Sequence, residues 1–381
     1  MKIIFMNDIG VNLDSANLMS FYVLKERYNY EVWDLSPIFG TGGTIKNIEE
    51  VMPIVSIDMF RNRLIECKKT DDIIIITNMV EKPWKRLQSI VKDLAILVIC
   101  TQKNNFFDIL KEQLATDFSI CVPLKRRIGY LILKYSLTRR LYSYITHRDA
   151  KYDFLISAYN TKPETVKTFV RTHNVKYDEF LQSKDSDNLI GKKYILFIDG
   201  SLCYHPIDFK KEDSKFDYKH YISQLNEYFN ALENKYGIPV VIALHPVSLE
   251  RLESSDFNGR ELLYGKTAQL IHHAEFVISH YSTSLINAVL EKKPVVIISS
   301  KEIERSMRGR QQSWANAFAK MCGFQKDSLD KPLLPEAVVD INKYKLFTKK
   351  YLINEERSEV SNATMLIELL HNLEGSKAIN E

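Results

Sequence analysis

Three polar segments in the second half of the chain have residue types that suit the binding of a phosphate group. Each follows a short apolar run: Asp199-Gly200-Ser201, His245-Pro246 and His280 to Ser284. Hydroxyls, an imidazole and the free backbone N–H groups at the start of a helix all donate hydrogen bonds to an anion. The hydroxyls of Ser282, Thr283 and Ser284 are the most informative, because they open a predicted helix. Ser282 alone could instead only cap that helix.

His245 is the predicted catalytic group of the second half. The following residue, Pro246, restricts the backbone of His245 to an extended conformation at the end of its strand. An imidazole there can donate to a phosphate or a sugar hydroxyl, or act as the acid that helps a phosphate depart. A single histidine is often structural, but the neighbouring hydroxyl cluster favours the functional interpretation.

The elements that must position these residues are alternating strands and helices. Apolar runs bounded by polar residues, each followed by a segment of helical periodicity, indicate βα units around parallel sheets. Nine strands are predicted in this way: residues 2–6, 31–35, 72–77, 95–100, 153–158, 194–198, 239–244, 275–279 and 294–298. Helices are predicted between them, at residues 14–28, 57–68, 83–93, 106–114, 218–235, 267–273, 283–292 and 302–321.

The pattern predicts an α/β protein with two doubly wound, Rossmann-like domains. Domain one spans residues 1–175 and domain two 190–345, while residues 163–192 read as a polar linker. A helical segment, residues 346–381, is expected to pack back on the first domain. Two such domains make a central cleft between them the expected ligand site.

The second half also carries a family resemblance. The segments His245-Pro246, Phe257 to Arg260, Tyr264 to Ala268, Ser279 to Ser284 and Lys293 to Val296 resemble the nucleotide-sugar half of GT-B glycosyltransferases of bacterial surface polysaccharides, the makers of capsule and lipopolysaccharide. Phe197 to Pro206 is similar to a strand and loop of that group. Pairing His-Pro with a Ser/Thr-rich helix start is similar to transferases that use CMP-activated acidic sugars, such as sialic acid-like nonulosonates or Kdo.

The resemblance implies a donor nucleotide in the second domain. Many UDP-sugar enzymes of this type place a glutamate in the helix after the phosphate loop, but residues 285–288 contain no acid. This favours a CMP-linked donor and leaves a UDP- or GDP-sugar open. Arg260, Lys266 and Thr267 are further candidates for contacts to the nucleotide or an acidic sugar, although Lys266 could be only a solvated charge.

The first domain is expected to hold the acceptor and the catalytic base. Asp8 follows the first strand and could deprotonate the acceptor hydroxyl, although an aspartate there is also a common turn residue. Residues 39–44 are glycine-rich but follow the second strand, so we interpret them as an acceptor loop rather than a dinucleotide fingerprint. Residues 125–151 are basic and rich in aromatic side chains. They suit either peripheral contact with an anionic inner membrane or an ordinary helix with a basic rim.

Composition excludes several other classes. The net charge of +4 over 381 residues argues against a nucleic-acid partner. The five cysteines lie far apart, which is typical of reduced thiols, and neither Asp185-Ser186-Asp187 nor His272-His273 has a context that suits a metal. With no signal peptide and no apolar run of about 20 residues, the sequence predicts a cytoplasmic protein that needs no cofactor.

The sequence therefore predicts a metal-independent glycosyltransferase that moves a CMP-activated acidic sugar onto an oligosaccharide or lipid-linked glycan. Two alternatives stay open. One is an epimerase or hydrolase of nucleotide sugars on the same fold. The other is a non-catalytic partner in polysaccharide assembly.

Overall fold

The computed structural model describes most of the chain in two compact units. It describes residues 1–7, 27–39, 51–77, 79, 81–101, 152–158, 166–202, 217–249, 251–301, 303 and 310–378. The first unit contains the described residues up to 178 and those from Tyr351 onward, and the second contains those from Glu179 to Lys350.

The first unit is built on a seven-stranded parallel sheet. Its strands are β1 (Lys2–Asn7), β2 (Asn29–Asp34), β3 (Val51–Pro53), β4 (Ile73–Thr77), β5 (Leu97–Thr101), β6 (Tyr152–Ser157) and β7 (Val166–Arg171). They are arranged in the order β3-β2-β1-β4-β5-β6-β7, and every neighbouring pair is parallel. The central strand β4 is Ile-Ile-Ile-Ile-Thr and is buried throughout, as expected for a strand covered on both faces.

Helices cover both faces of this sheet. The helices of this unit are α1 (Ser36–Phe39), α2 (Ile57–Thr70), α3 (Glu81–Asp93), the first residues of α4 (Lys176–Ser183) and α10 (Asn362–Ala378). One core cluster contains Trp33, Phe60 and Trp84 from β2, α2 and α3. On the other face, Leu366 and Leu370 of α10 pack with isoleucines of β1, β4 and β5. Helix α10 is thus part of the first unit's core.

The second unit is built on a six-stranded parallel sheet. Its strands are β8 (Ile195–Ile198), β9 (Val240–Leu244), β10 (Leu262–Tyr264), β11 (Phe276–Ser279), β12 (Val295–Ser299) and β13 (Gln325–Ser328). The order is β10-β9-β8-β11-β12-β13, with all pairs parallel. This is the strand order of a Rossmann fold, in which ligands bind where the carboxyl ends of the strands meet.

The helices of the second unit are α5 (Tyr218–Tyr236), α6 (Thr267–His273), α7 (Leu285–Leu290), α8 (Arg310–Cys322) and α9 (Ile341–Phe347). The longest, α5, begins at Asp217, whose side chain accepts from the N–H of His220. It ends at Gly237, which has φ 69° and a left-handed conformation that favours glycine. Its Leu225, Phe229 and other apolar residues pack in the core against β8 and β9.

The structure confirms all nine predicted strands and the α/β fold class of two parallel sheets. It adds four strands, β3, β7, β10 and β13, which are the edges of the two sheets. The interpretation of residues 163–192 as a linker was wrong in part, because β7 and α4 lie within it. The sequence of β7 is Val-Lys-Thr-Phe-Val-Arg, and the strand is half exposed. Because its apolar residues are interrupted by polar ones, β7 is not recognised as a continuous apolar run.

Two further features of the described residues bear on the sequence analysis. Cys67, Cys100 and Cys322 are free and buried. No helix in the described part of the chain is long and apolar enough to cross a membrane.

Candidate functional site

The three polar segments lie at one edge of the second sheet. β8 lies between β9 and β11, and its last residue, Ile198, is paired with Ala243 on one side and Ser279 on the other. The three strands therefore end at nearly the same level. The loops that begin at Asp199, His245 and His280 leave the sheet side by side, as the sequence predicted for the carboxyl ends of parallel strands.

Asp199 joins the loop after β8 to the loop after β9. One carboxylate oxygen, Oδ1, accepts from the backbone N–H of Ser201 at 2.8 Å, and Oδ2 accepts from the backbone N–H of His245 at 3.3 Å. The side chain is buried with 7% exposure. A carboxylate that accepts backbone N–H groups holds both loops in place, so the first role of Asp199 in this geometry is positioning.

The loop after β8 also approaches the loop after β11 closely. A Cβ atom built on Gly200 would lie 2.8 Å from the backbone carbonyl oxygen of Tyr281, a distance that real Cβ contacts do not show. The next residue, Ser201, has φ 52°, in the left-handed backbone region that residues other than glycine rarely adopt. Only glycine allows the two loops to come this close at position 200. The strained backbone of Ser201 lies at the same edge of the sheet as the other polar residues.

His280 is a core residue that connects β11 to its neighbours. Its Nδ1 lies 2.8 Å from the carbonyl oxygen of Ile298, and its Nε2 lies 2.7 Å from the hydroxyl of Tyr221. A carbonyl oxygen only accepts, so Nδ1 donates to it, and the Nε2 of the neutral ring accepts from the Tyr221 hydroxyl. Burial lowers the pKa of His280 to about 4. His280 is therefore uncharged at neutral pH, and both of its ring nitrogens are bonded inside the unit.

The hydroxyl cluster precedes a helix that is shorter than the sequence predicted. The helix α7 spans Leu285–Leu290 and has Ser284 as its N-cap, so the expected start at Thr283 was too early. The Ser282 Oγ accepts from the N–H of Ser284 at 3.1 Å. Thr283 is exposed, while Ser282 and Ser284 are partly buried. With six residues the helix has a small dipole, and the cluster's capacity to bind an anion rests on its hydroxyls and backbone N–H groups.

His245 follows the end of β9, and β8 separates β9 from β11, the strand before this cluster. His245 is partly exposed, and Pro246 after it is exposed. Pro246 begins a short 3-10 turn that ends at Ser248, whose N–H donates to the carbonyl oxygen of His245 at 2.8 Å. The backbone of His245 is thus fixed from both sides, by Asp199 and by Ser248.

Arg260 lies in the interior of the unit. Its guanidinium makes a bidentate contact with Glu233, at 3.1 Å from Nε and 2.7 Å from Nη2, and it also donates to Asn226 and Asn230. It lies 5.4 Å from the ring centroid of Phe229. With 9% of the residue exposed, these contacts give Arg260 a structural role in the second unit.

The remaining predicted residues are placed as follows. Lys266 is exposed, and Thr267 begins α6 after the edge strand β10. The proposed base Asp8, the glycine-rich residues 40–44 and the basic segment 125–151 lie outside the described residues. Their predicted roles stay predictions.

The structure adds two residues to this edge that the sequence analysis missed, Tyr221 and Ser248. Tyr221 is on α5, which lies in the sequence between the polar segments at Asp199 and at His245, and only the fold brings its hydroxyl to His280. Ser248 follows the His-Pro pair by two residues, so the turn that Pro246 begins was a usable signal. In the described part of the chain, no cluster of three or more His, Cys, Asp or Glu side chains is placed to hold a metal.

Solved structures with similar backbones were found by comparison. A variant of the wall teichoic acid polymerase TagF is 14% identical to this chain, and the alignment covers 99% of this chain and 90% of that one, with a TM-score of 0.51. A second TagF variant, soaked with CDPG, has the same identity and coverage and a TM-score of 0.50. The chain therefore has the GT-B fold.

A UDP-GlcNAc 2-epimerase from Methanocaldococcus jannaschii also aligns, at 11% identity over 98% of this chain and 100% of that one, with a TM-score of 0.45. No protein-family profile matches the sequence, and no curated protein matches it. At 14% identity, the two TagF structures establish the architecture of two Rossmann-like domains.

Proposed function

We propose that this protein is a glycosyltransferase of bacterial surface polysaccharides that binds a nucleotide-activated sugar at the carboxyl edge of its second sheet. The donor that we propose is a CMP-linked acidic sugar, either a sialic acid-like nonulosonate or Kdo. The acceptor is an oligosaccharide or a lipid-linked glycan, and the first domain binds it.

The observation that carries this proposal is the way in which three loops are joined. Asp199 bonds to the loop that carries His245, and Gly200 packs against the backbone of Tyr281, in the loop that leads to Ser282. An edge of this kind presents an imidazole and several hydroxyls from a fixed backbone. Fixed donors suit a transferase, because they can stabilise negative charge as it develops on a departing phosphate without reorganising.

In the proposed mechanism, His245 and the segment Ser282 to Ser284 contact the nucleotide phosphate. His245 donates a hydrogen bond to a phosphate oxygen, and in its protonated form it can transfer a proton as the bond to the sugar breaks. The hydroxyls of the cluster and the backbone N–H groups around it bind the remaining oxygens. Asp199 and His280 act through other residues, and we assign them positioning roles.

In the proposed mechanism, the first domain provides the catalytic base and binds the acceptor. A carboxylate, for which Asp8 is the candidate, takes the proton of the acceptor hydroxyl as it attacks the sugar. The basic segment 125–151 is proposed to bring the protein to an anionic inner membrane, where a lipid-linked acceptor resides. Both assignments rest on the sequence.

The experiment that tests the proposal is a panel of CMP, CDP, UDP and GDP measured by calorimetry and thermal shift. A ligand that binds only the folded protein raises its stability by mass action, by about 2.7 kcal/mol at 100 times the Kd. We expect CMP to bind selectively and His245→Ala to weaken that binding at least about tenfold. The matched control is His371→Ala, because the His371 side chain is 82% exposed on α10.

The reaction is then followed as release of CMP from a CMP-sugar with and without a glycan acceptor. Acceptor-dependent release indicates a transferase, and release without acceptor indicates a hydrolase. Selective binding of UDP or GDP would replace the proposed donor, while binding of none of the four nucleotides would contradict the proposed function and favour a non-catalytic partner.

A further inference from the structure

One surface of the second unit combines lysines with an exposed leucine, and the mechanism above gives it no role. It lies on α9 and on the π-helical turn Thr348–Leu352 that continues this helix. Five exposed side chains make up this surface, which we name the lysine face: Lys343, Lys345, Leu346, Lys349 and Lys350.

The opposite side of α9 fixes the lysine face to the unit. Tyr344 and Phe347 are only 2% and 3% exposed. The ring centroid of Phe347 lies 5.3 Å from that of Phe318 on α8, and the Tyr344 hydroxyl donates to the carbonyl oxygen of Lys293 at 2.8 Å. Because these buried contacts hold the helix in place, the outward side chains can be changed with little effect on folding.

Leu346 lies in the middle of the lysine face with 69% of its surface exposed. Residues three or four positions apart are neighbours on a helix, so the lysines at positions 343, 349 and 350 are adjacent to it. A single exposed leucine is common on protein surfaces. A leucine among lysines is instead typical of helices that lie in a membrane interface, with the apolar side chain at the acyl boundary and the lysines at the headgroups.

The charge of this segment is also unusual for the chain. Residues 341–353 contain four lysines and no acid, whereas the whole sequence has 52 basic against 48 acidic residues. Lys345 and Lys349 are four positions apart, and like charges at that spacing destabilise a helix. Asp340, which caps α9, lies 3.4 Å from the Nζ of Lys343 and offsets one charge of the four. The segment therefore has an excess of positive charge that an anionic partner would neutralise.

The residue types of the lysine face distinguish between kinds of anionic partner. Protein interfaces are enriched in aromatic residues and arginine and depleted in lysine. Proteins that bind single-stranded nucleic acids present aromatic side chains or arginines on which the bases stack. Residues 341–350 contain no arginine, and their two aromatic side chains, Tyr344 and Phe347, are buried. Lysines around an exposed leucine fit a lipid surface better than either alternative.

We propose that the lysine face binds an anionic lipid surface, with Leu346 inserted at the level of the headgroups and the four lysines in contact with lipid phosphates. This goes beyond the proposed function, because it adds a binding surface on the second unit. It involves none of the residues assigned to the donor, and it is separate from the membrane contact proposed for residues 125–151.

The first measurement uses the unmodified protein and sedimentation with lipid vesicles. One set of vesicles is an equal mixture of phosphatidylglycerol and phosphatidylcholine, and the other is phosphatidylcholine alone. We expect binding to the anionic vesicles only. Binding should weaken at least about tenfold when sodium chloride is raised from about 0.1 M to 1 M, because the screening length falls from about 10 Å to about 3 Å.

Two variants then locate the binding surface. Leu346→Glu removes the inserted side chain and adds a negative charge, so the affinity for anionic vesicles should fall at least about tenfold. Lys345→Gln/Lys349→Gln should lower it about 25-fold, since each lysine near an anionic surface strengthens binding about fivefold. Both variants should keep the unfolding midpoint and the Kd for CMP of the unmodified protein.

Each variant has a matched control. Leu333 is 83% exposed in the same unit and lies on the loop after β13, so Leu333→Glu repeats the substitution outside the lysine face. Lys69→Gln/Lys92→Gln removes the same charge from exposed positions on α2 and α3 of the first unit. Both controls should bind anionic vesicles within about threefold of the unmodified protein, because distant exposed charges are largely screened.

Four results would overturn the proposal. They are failure of the unmodified protein to bind anionic vesicles, equal binding to vesicles of phosphatidylcholine alone, and unchanged vesicle binding in both lysine-face variants, which would place any membrane contact elsewhere in the chain. The fourth is binding of a single-stranded RNA probe that both variants lose while they keep vesicle binding, which would make the surface a nucleic-acid interface. The nucleotide panel is independent of these measurements, so failure of the proposed function would leave this inference standing, and the reverse also holds.

Discussion

Arg260 provides a direct test of whether a residue of the second unit serves structure or ligand binding. The substitution is Arg260→Met, which keeps much of the apolar stem and removes the guanidinium. In the structure, the side chain of Arg260 is 7% exposed and that of its partner Glu233 is 28% exposed. Removing one partner of a buried ion pair costs about 3–5 kcal/mol. Because Glu233 is partly hydrated, we expect the lower end of this range.

The loss has a structural reason beyond the ion pair. Glu233 Oε1 also accepts from the backbone N–H of Val240 at 2.8 Å, so the pair connects α5, the start of β9 and the segment before β10. A cost of about 3 kcal/mol lowers the unfolding midpoint by about 6–12 °C, at 2–4 °C per kcal/mol for a unit of 150–250 residues. Urea unfolding followed by circular dichroism measures the cost directly.

The control for this prediction is an ion pair of the same chemistry on the surface. The Nη2 atom of Arg357 lies 2.6 Å from Oε2 of Glu368, and the two side chains are 37% and 45% exposed. Arg357→Met should therefore cost less than about 1 kcal/mol. At a temperature where Arg260→Met is folded, its Kd for CMP should remain within about twofold of the unmodified value. Unchanged stability combined with lost nucleotide binding would refute this reasoning and return Arg260 to the ligand site.

Two further predictions concern the backbone near the site and the pH dependence of the first unit. Gly200→Ala forces a Cβ against the carbonyl oxygen of Tyr281, so it should lower the free energy of unfolding by about 1–3 kcal/mol and weaken CMP binding. The control Gly375→Ala, in a helix with open space around the glycine, should not destabilise the protein. Equal stability of the two variants would contradict the close approach at Gly200. His173 accepts from the N–H of Asn354 through Nδ1, and burial lowers its pKa below the ordinary 6.5. The contribution of neutral His173 to the free energy of unfolding is therefore present above pH 6.5 and is lost as the pH falls below that value. In His173→Gln, the free energy of unfolding should consequently fall less steeply as the pH is lowered. An unchanged slope would exclude this role of His173.

The sequence predicted the interior of both sheets and missed their edges, for one physical reason. An interior strand of a parallel sheet is covered on both faces and appears as a continuous apolar run, as in β4 and β12. An edge strand is partly exposed and its sequence is not a continuous apolar run; the edge strand β13 has the sequence Gln-Lys-Asp-Ser. Nothing in those four residues favours a strand, and only pairing with β12 makes them one.

The site was predictable to the extent that it lies at strand ends. A buried run followed by polar residues indicates the carboxyl edge of a sheet, and this identified the segments that begin at Asp199, His245 and His280. What the sequence could not provide was the direction of each side chain. The structure turns His280 inward, toward Tyr221 and Ile298, while His245 remains partly exposed.

This difference in direction separates two kinds of residue at one edge and makes them distinguishable by experiment. Asp199 and His280 bond inside the unit, so their loss should reduce stability and binding together. His245 has a side chain that the proposed mechanism assigns to the ligand, so its loss should reduce binding with little effect on stability. Measuring both quantities for the same variants therefore assigns each residue to positioning or to contact, without knowledge of the acceptor. If all three variants lose stability and binding in proportion, the edge acts as a single structural unit, and the separate role proposed for His245 would have to be withdrawn.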